Sequence, residues 1–493
     1  MNLKVISRNV GFALLVSALF MFLSVIVSLK NGHDSALAAL LISFTITFIA
    51  GAFPFIFVRH NEVITLKDGY LIIFLSWMLS FIFGMLPYLL WGGPFTVINA
   101  WFESVSGFTT TGSSILENIE ALPDSLLFWR SSTHFIGGLG VVVFLLLIIP
   151  SSSPVKLRLA NMELSKLSKD GYMARANKTV YIFTYVYIGL AVSAFLAYWI
   201  AGMSPFDAIN HAFSVCATGG FSTKNLSIAA FHSPAINIIT IIFMIVGSIH
   251  FGIIFMVFVT RSFKPLKNKV LRFYITTIAV CALIVAFSLK IEGIEKTWGD
   301  AFMSGVFQVS AYASTTGFAI SDNSLWPLLP CIILMFVGIQ CGMSGSTSGG
   351  IKSDRMLYLV KAMSRQIRRT INPSSVNKIK VGDKFFSDEE VFPHILYITI
   401  FLLFIVISMV LCLIFGTNNY NALSGTIASL ANVGLALGEI GSAGNYNCEP
   451  SMVKFIYTLD MLLGRLEIYP VIAALSILLK RNKKFVRKAD ADN

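Results

Sequence analysis

Four short turns carry the residues of this chain that are best suited to binding an ion. They read SGFTTTG (106–112), VCATGGF (215–221), ASTTGFA (313–319) and LANVGLA (430–436). Glycine tolerates left-handed backbone, so a turn of this kind can aim successive carbonyl oxygens at one point. Carbonyl and hydroxyl oxygens without a carboxylate favour a weakly hydrated monovalent cation over Mg²⁺ or Ca²⁺. The four turns therefore predict a site for a monovalent cation.

The four turns can be aligned on one glycine each, namely Gly112, Gly220, Gly317 and Gly434. The predicted ligands are the aligned glycine and the two residues before it in each turn. A single turn of this kind is more typical of helix packing by small residues. Four of them, spaced roughly 100 residues apart, indicate one unit present four times and favour a fourfold pore. The fourth turn lacks the threonine pair of the first and third, so the symmetry is expected to be approximate. The candidates are Thr110, Thr111, Gly112, Thr218, Gly219, Gly220, Thr315, Thr316, Gly317, Asn432, Val433 and Gly434.

A short amphipathic segment precedes each turn. A helix of about 12 residues is roughly 18 Å long, which reaches only halfway across a hydrocarbon core of about 30 Å. Each segment must therefore enter the membrane and turn back. Thr96, Ser204 followed by Pro205, and Asn419 are the predicted N-terminal caps. The four segments are 96–107, 204–215, 298–311 and 419–430.

The carboxyl ends of these segments lead directly into the turns. The carboxyl end of a helix carries about half a negative charge from its unpaired carbonyl groups. Four such ends that meet at one place stabilise a dehydrated cation and repel anions. The arrangement predicts a pore for cations.

The composition is that of an integral membrane protein. Hydrophobic residues make up 56% of the chain and charged residues 13%. The apolar runs predict an all-α polytopic fold, in which two N-terminal helices precede four units of helix, pore helix, filter loop and helix around one central pore. A further run, 326–341, is too short to span a membrane alone. The spanning runs are about 10–29, 36–58, 70–91, 126–149, 179–201, 234–260, 273–289, 394–415 and 452–479.

Basic residues fall on alternate connections. The connections on one side of the predicted membrane hold 30 of the 37 Lys and Arg residues, as the positive-inside rule expects. This predicts that both termini are cytoplasmic and that the four turns lie on the outer side. A nucleic-acid partner is excluded, because phosphate binding needs a basic groove on a folded domain and the connections between the apolar runs are too short to form one. The basic connections are 1–9, 59–67, 156–178, 261–272, 352–384 and 480–488.

The segment 338–352, GIQCGMSGSTSGGIK, has five glycines and four hydroxyl residues. Each interior glycine costs a helix roughly 1 kcal/mol relative to alanine, so an irregular loop is predicted. At membrane depth a loop is tolerated where it lines a cavity or is buried in protein. We therefore predict a loop that lines the pore below the turns, and only the third unit is expected to break its second helix. The candidate gating residues in the loop are Gly342, Gly345, Gly349, Gly350 and Lys352.

Arg465 and Glu467 stand in the middle of the last apolar run, where charge is expensive and normally functional. They lie on different helix faces and are not expected to pair with each other. Two interpretations stay open for Arg465. It is either a positive barrier that latches the 342–352 loop, or a structural ion pair inside the bundle. Arg465 therefore joins the candidate gating residues.

Five further polar residues are interpreted as structural. Arg130 and His134, one helical turn apart, are expected to make packing or hydrogen-bonding contacts. His211 and Asp207 are expected to brace the second pore segment. His250, alone in an apolar helix, is more typical of a satisfied core histidine than of a proton carrier.

The set of motifs resembles the superfamily of potassium transporters with four fused membrane-pore-membrane units, and within it the TrkH family. The resemblance covers essentially the whole chain and rests on the extra helix pair (10–58), the four turns and GGIK at 349–352. It implies a potassium-selective filter at the turns and an Arg465 that faces the pore and contacts an intramembrane gating loop. In related sodium-permeable members serine replaces the first filter glycine, so the intact Gly112 favours potassium.

The resemblance also implies partners. It predicts a homodimer in a bacterial inner membrane and a separate cytoplasmic nucleotide-binding subunit of the TrkA type that controls opening. NAD(H) or ATP/ADP is expected on that subunit, with no cofactor in this chain and K⁺ as the transported ion. The predicted division of the chain is an N-terminal helix pair (1–67), repeat 1 (68–155), repeat 2 (156–265), repeat 3 with the loop 338–352 (266–385) and repeat 4 (386–493).

The predicted function is gated potassium uptake. The alternative is a potassium symporter coupled to protons or sodium, which needs an ionisable residue along the path. Arg465, Glu467 and His250 are the candidates for that role. An intramembrane enzyme is disfavoured because the sequence has no HExxH, no GxSxG and no paired intramembrane aspartates. A sensor or scaffold that transports nothing is equally disfavoured.

Overall fold

Helices form most of the computed structural model. The residues that it describes are 2–58, 65–140, 176–372, 378–381 and 384–489. Two long helices, Leu3–Lys30 and Leu37–Phe57, come first and pack against each other. A Cβ atom added to Gly11 would lie 2.6 Å from the carbonyl oxygen of Gly51, so small residues allow the two backbones to approach closely.

Four units of similar order follow this N-terminal pair. Each has a first helix, a pore helix that ends in one of the four turns, and a second helix. The first helices are Leu66–Gly84 continued by Leu86–Trp91, Ala176–Ile200, Lys269–Ile291 and Asp388–Ile414. Pore helices 1 to 4 are Val97–Phe108, Pro205–Cys216, Trp298–Ala313 and Asn419–Leu430. The second helices start with Asp124–Leu139, Pro234–Gly247, Leu328–Gln340 and Ser451–Leu466. Short 3₁₀ helices in the connections are Ser227–Phe231, Lys264–Lys267, Asn323–Leu325, Gly438–Ile440 and Tyr446–Cys448.

Apolar helices of spanning length confirm the predicted fold class. Within the described ranges, six helices are long and apolar enough to cross a membrane, or up to eight when each bent pair counts as one span. The run predicted to be too short is the 13-residue helix Leu328–Gln340. The run predicted at 126–149 is helical as far as Leu139, and its part beyond Gly140 lies outside the described residues. The chain is an all-α multi-pass membrane protein.

The second helix is broken in repeats 2, 3 and 4, so the prediction that only the third unit breaks is wrong. In repeat 2 the helices Pro234–Gly247 and Phe251–Thr260 are bent by 101°. In repeat 4 the bend after Ser451–Leu466 is 107°, and the chain continues as Ile468–Ala489. In repeat 3 a loop separates Leu328–Gln340 from the helix Ser353–Ile371.

A single polar residue marks each of the two missed breaks. In repeat 2, His250 Nδ1 accepts a hydrogen bond from the Gly252 amide, 2.9 Å away, and so caps a new helix. In repeat 4, Glu467 has a left-handed backbone with φ of 61°. Because each run stays apolar on average, the hydropathy pattern alone predicts one continuous span in each place.

A small β-hairpin adds to the helices. Its strands, Ile379–Val381 and Lys384–Phe386, are antiparallel, with Ile379 opposite Phe386. The Phe386 ring packs edge-on against Tyr358 of the helix Ser353–Ile371, at 5.2 Å between ring centroids. The hairpin is therefore held against the helix that follows the loop of repeat 3.

Candidate functional site

Hydroxyl and amide side chains start all four pore helices. Thr96 and Ser204 accept hydrogen bonds from the backbone amide three residues on, as predicted. Thr297 does the same for pore helix 3. The predicted cap Asn419 is wrong by one residue, because the side chain of Asn418 makes this bond and Asn419 is already helical.

All four pore helices end in the same backbone motif. In turn 1 the Thr110 amide donates to the Gly107 carbonyl, and the Thr111 amide donates to the Ser106 carbonyl, both at 3.0 Å. This is the Schellman arrangement, which usually places glycine at the left-handed position. Here a larger residue takes that position in every turn. The left-handed residues are Thr110, Thr218, Thr315 and Asn432, with φ of 53°, 53°, 60° and 55°.

The aligned glycines form a closed ring. All four have positive φ, the region in which glycine is favoured. Each aligned glycine faces a backbone carbonyl of the next turn, which belongs to the residue just before that turn's own aligned glycine. A Cβ atom added to the glycine would lie only 1.9 to 2.2 Å from this carbonyl oxygen. The four carbonyl groups and the four glycines therefore alternate around one axis. The pairs are Gly112 with the Gly219 carbonyl, Gly220 with that of Thr316, Gly317 with that of Val433, and Gly434 with that of Thr111.

A polar vestibule of about 180 Å³ opens at the ring. All four aligned glycines line it, together with loop residues that include Glu117, Lys224 and Asn225. The turns thus share one mouth. The structure brings the twelve predicted filter residues together, since three of them belong to each of the four turns around this opening.

The divergent residue of turn 4 has its own role in the ring. Asn432 Nδ2 donates to Thr111 Oγ1 of turn 1 at 3.0 Å and to the Met461 carbonyl at 2.8 Å. A threonine has one hydroxyl proton and cannot donate to both acceptors. Asparagine at this place joins turn 4 to turn 1 and to the second helix of repeat 4.

The predicted gating segment is an irregular loop that begins later than predicted. The helix Leu328–Gln340 includes Gly338, and residues 341–352 form the loop. A Cβ atom added to Gly338 would meet its nearest neighbour at an ordinary 3.4 Å, so this glycine does not interrupt the helix. The predicted boundary of 338 is therefore corrected to 341.

The loop lies against the ends of three pore helices. The Gly349 amide donates to Thr315 Oγ1 of turn 3 at 3.0 Å. A Cβ atom on Gly349 would lie 2.5 Å from the Ala431 carbonyl oxygen at the end of pore helix 4. Thr347 Oγ1 donates to the Cys216 carbonyl at the end of pore helix 2, at 3.1 Å. The loop and the turns therefore form one packed unit.

The break in repeat 2 holds the other side of the loop. The Met343 amide donates to the Ser248 carbonyl at 2.9 Å, and the Phe251 amide donates to the Gly345 carbonyl at 3.0 Å. Both Ser248 and Phe251 lie at the bend between the two helices of repeat 2. The backbone groups left free by the bend of repeat 2 therefore make their hydrogen bonds with the loop of repeat 3.

The remaining candidate gating residues shape the loop itself. A Cβ atom on Gly342 would lie 2.5 Å from Ser348 Oγ, and one on Gly350 would lie 2.1 Å from Cys341 Sγ. Lys352 Nζ donates to the Ser348 carbonyl. The loop is therefore folded tightly on itself, and Gly342, Gly349 and Gly350 stand where side chains do not fit.

Arg465 ties the loop to repeat 1. Its guanidinium group donates to the Thr347 carbonyl at 2.5 Å, and to the carbonyls of Gly137 and Gly138 at 2.6 and 3.2 Å. Gly137 packs directly against the end of pore helix 1, because its Cβ atom would lie 1.8 Å from the Phe108 carbonyl oxygen. The loop thus contacts the ends of pore helices 2, 3 and 4, and Arg465 connects it through Gly137 to the end of pore helix 1.

Glu467 pairs with a side chain of another helix, whereas Arg465 binds backbone carbonyls. Both of its carboxylate oxygens accept hydrogen bonds from Arg355, at 2.8 and 2.9 Å. The Arg355 guanidinium also lies 4.0 Å from the centre of the Tyr397 ring. This ion pair connects the helix after the loop to the bend of repeat 4. Sequence analysis missed Arg355, because it looks like one more basic residue of the 352–384 connection.

A buried ion pair stands behind turns 1 and 2. Arg130 Nε donates to Glu103 of pore helix 1 at 2.8 Å, and both side chains are essentially inaccessible to solvent. The guanidinium group also donates to Ser114 Oγ and to the Ser222 carbonyl, just after the two aligned glycines. It lies 4.1 Å from the centre of the Phe221 ring. These contacts agree with the structural role predicted for Arg130. The sequence analysis did not identify Glu103, although Glu103 is an acidic residue inside an apolar segment.

Loss of this ion pair is expected to destabilise the protein strongly. Arg130→Met should lower the free energy of unfolding by about 3–5 kcal/mol, because it leaves the Glu103 carboxylate buried without a counter-ion. The matched control is Arg365→Met, which removes the partner of the exposed Asp388 and should change it by about 1 kcal/mol or less. Chemical unfolding in mixed micelles measures both. Equal losses in the two variants would contradict the expectation.

The predicted histidine contacts are also structural. His211 Nε2 lies 2.9 Å from Ser222 Oγ, and Thr223 Oγ1 donates to Asp207 at 2.6 Å, so pore helix 2 is braced against its own exit loop. His134 stacks on the Phe221 ring, at 4.1 Å between ring centroids. These contacts agree with the bracing role predicted for His211 and Asp207 and with the packing contact predicted for His134.

Comparisons with known proteins agree with this architecture. Residues 36–487 match the TrkH family, described as a cation transport protein. The Trk system potassium uptake protein TrkH of Vibrio parahaemolyticus is 32% identical over 482 residues, which are 97% of this chain and 99% of that protein. Its counterpart from Halomonas elongata is 33% identical over 479 residues, 96% of this chain and 98% of that protein.

Solved structures give the same result. The crystal structure of the potassium transporter TrkH from Vibrio parahaemolyticus matches with a TM-score of 0.86 and 31% sequence identity, covering 96% of this chain and 98% of that one. Sequence and structure match over nearly the full length of both proteins. The chain therefore belongs to the TrkH family of cation transport proteins.

Proposed function

We propose that this chain takes up potassium ions through the ring of glycines and carbonyls, which acts as a selectivity filter. The observation that carries the proposal is the closed order of the ring, in which each aligned glycine faces a carbonyl of the next turn. The names of the relatives support it, since they are Trk system potassium uptake proteins.

The filter selects through neutral oxygens. The carbonyls of Thr111, Gly219, Thr316 and Val433 replace part of the hydration shell of the ion. Pore helices 1 to 4 direct their negative carboxyl ends toward the same place, which favours a cation there and disfavours an anion. The glycines keep the passage open, because a side chain at any of them would meet a backbone oxygen.

The loop 341–352 is the gate in this proposal. It is packed against the ends of the pore helices, and Arg465 holds it through the Thr347 carbonyl. Opening requires that this hydrogen bond break and that the Gly349 amide leave Thr315 Oγ1. The positive charge of Arg465 adds an electrostatic barrier to cations while the loop is in place.

The proposed membrane location, oligomeric state and partner subunit are based on the family. The name Trk system implies further components, and we propose a homodimer in a bacterial inner membrane with the termini and a TrkA-type nucleotide-binding subunit on the cytoplasmic side. NAD(H) or ATP/ADP would bind to that subunit. The four turns then face the periplasm, in agreement with the distribution of Lys and Arg residues along the chain.

Obligatory coupling to protons or sodium is the second candidate. The three side chains considered for it are engaged in structural contacts. Arg465 binds backbone carbonyls, Glu467 binds Arg355, and His250 caps a helix. These contacts favour a passive pathway.

Reconstitution into planar bilayers tests the proposed function. With asymmetric K⁺ and Na⁺, we expect a current that reverses near the K⁺ equilibrium potential and that the nucleotide-binding subunit modulates. A K⁺/Na⁺ permeability ratio near one would contradict the filter. A reversal potential that also follows the proton or sodium gradient would favour the symporter.

A further inference from the structure

One buried carboxyl group has no part in the filter, the gate or any ion pair. Asp460 lies in the second helix of repeat 4, Ser451–Leu466, and is 1% exposed. Its Oδ1 atom accepts a hydrogen bond from Ser408 Oγ at 2.7 Å. Its Oδ2 atom is buried and has no hydrogen-bond partner among the described residues.

Among the residues that the structure describes, Asp460 makes no ion pair. The pairs Glu103–Arg130, Arg355–Glu467 and Arg365–Asp388 join other residues. The cations on its own helix point elsewhere, since Lys454 donates to Asn99 and Arg465 to backbone carbonyls.

The titratable groups that face Asp460 are neutral or already paired. The first helix of repeat 4 presents the Cys412 thiol, which lies near Asp460 and the Tyr457 hydroxyl. Pore helix 4 presents the hydroxyl of Thr426 to the same thiol. Pore helix 1 also packs against this helix, and its acidic residue Glu103 is paired with Arg130. None of these groups offsets a negative charge on Asp460.

A carboxylate with one hydrogen bond is very unstable in such a place. Burying an isolated charge costs so much that the group takes up a proton instead. Ionisable residues inside a membrane protein are expensive and normally functional. We propose that Asp460 is a proton-binding site, filled as a neutral carboxylic acid at neutral pH, and that its ionisation at alkaline pH reduces cation flux.

The position of Asp460 explains why ionisation would affect the pore. The next residue, Met461, offers its carbonyl to Asn432 of the fourth turn. One turn further on, Gly464 packs on the Leu430 carbonyl at the end of pore helix 4, where a Cβ atom would lie only 2.0 Å away. Arg465 follows. A charge on Asp460 draws water toward this helix and shifts the segment that contacts both the filter and the loop.

The site is independent of the ion that the pore conducts. Infrared difference spectroscopy detects it without any transport measurement, because a protonated carboxyl group has a C=O stretch distinct from that of a carboxylate. A K⁺/Na⁺ permeability ratio near one would therefore not contradict the infrared result. A negative infrared result would likewise not contradict the proposed filter.

The infrared experiment compares the wild-type protein with Asp460→Asn in lipid. We expect one protonated-carboxyl band at neutral pH that shifts in D₂O, disappears as the pH is raised and is missing in Asp460→Asn. Asp300→Asn, which removes an exposed carboxylate at the start of pore helix 3, should keep the band. Ser408→Ala retains Asp460 but removes its hydrogen bond, so the band should move to a different frequency. The absence of an Asp460 band at neutral pH would overturn the proposal and would indicate an ionised carboxylate instead.

A flux experiment tests the consequence. Cation flux through the wild-type protein in liposomes should fall several-fold from neutral to alkaline pH, and the fall should be missing in Asp460→Asn, which stays neutral. Asp300→Asn should follow the wild-type profile. The same alkaline fall in Asp460→Asn and in the wild type would overturn the proposed effect on the pore.

Discussion

Gly112→Ser is expected to lower the K⁺/Na⁺ permeability ratio by about tenfold, which corresponds to roughly 1.4 kcal/mol. The new Cβ atom would lie 1.9 Å from the Gly219 carbonyl oxygen, and side chains rarely adopt the φ of 83° found here. Relief of this clash displaces the Gly219 carbonyl from the ring. The ring then no longer holds its oxygens at one distance from the ion, and discrimination between two monovalent cations falls.

Gly189→Ser is the matched control. Gly189 lies in the first helix of repeat 2, and a Cβ atom there would have no neighbour within 4 Å. Bi-ionic reversal potentials in planar bilayers give the ratio for both variants. An unchanged ratio in Gly112→Ser would remove Gly112 from the filter. An equal loss in Gly189→Ser would show that the effect does not arise from the ring.

Local sequence signals are sufficient to place the pore helices and their turns. A hydroxyl cap such as Ser204 starts a helix through a bond to a residue three positions away, and a turn such as 106–112 ends one through bonds between residues three and five positions apart. The repetition of this unit then implies the ring, because four equivalent ends must meet. The error of one residue at Asn419 arises because two adjacent asparagines are equally good caps.

The breaks in the second helices depend on contacts between distant segments. In repeat 2, the backbones of Ser248 and Phe251, on either side of the bend, bond residues of the loop roughly 100 positions later in the chain. Hydropathy measures the average of a run and is insensitive to one such residue. The loop of repeat 3 was predictable because its many glycines act locally.

Buried charges were the least predictable part of the site. Glu103 and Asp460 each appear in the sequence as one acidic residue in an apolar segment, yet one is paired and the other is not. The difference depends on which residue of another helix faces each carboxyl group. Arg130 meets Glu103 across 27 positions, whereas Ser408 meets Asp460 across 52.

Arg465→Ala is expected to raise the open probability of single channels by about tenfold or more. The substitution removes hydrogen bonds to the carbonyls of Thr347, Gly137 and Gly138. Each hydrogen bond from a charged donor contributes about 1.5–3 kcal/mol, so even partial replacement by water favours release of the loop. Recordings at fixed voltage in planar bilayers, with and without the proposed cytoplasmic subunit, measure the change.

Arg465→Lys separates the latch from the electrostatic barrier. Lysine keeps the positive charge but lacks the planar fork that reaches the carbonyls of the loop and of repeat 1 together. If Arg465 acts mainly as a latch, Arg465→Lys should resemble Arg465→Ala in open probability while its single-channel conductance stays at the wild-type value. If the charge alone blocks cations, Arg465→Lys should behave as the wild type in both quantities. Unchanged conductance, selectivity and closed probability in Arg465→Ala would contradict both roles, and would leave Arg465 as a structural link between repeats 1, 3 and 4.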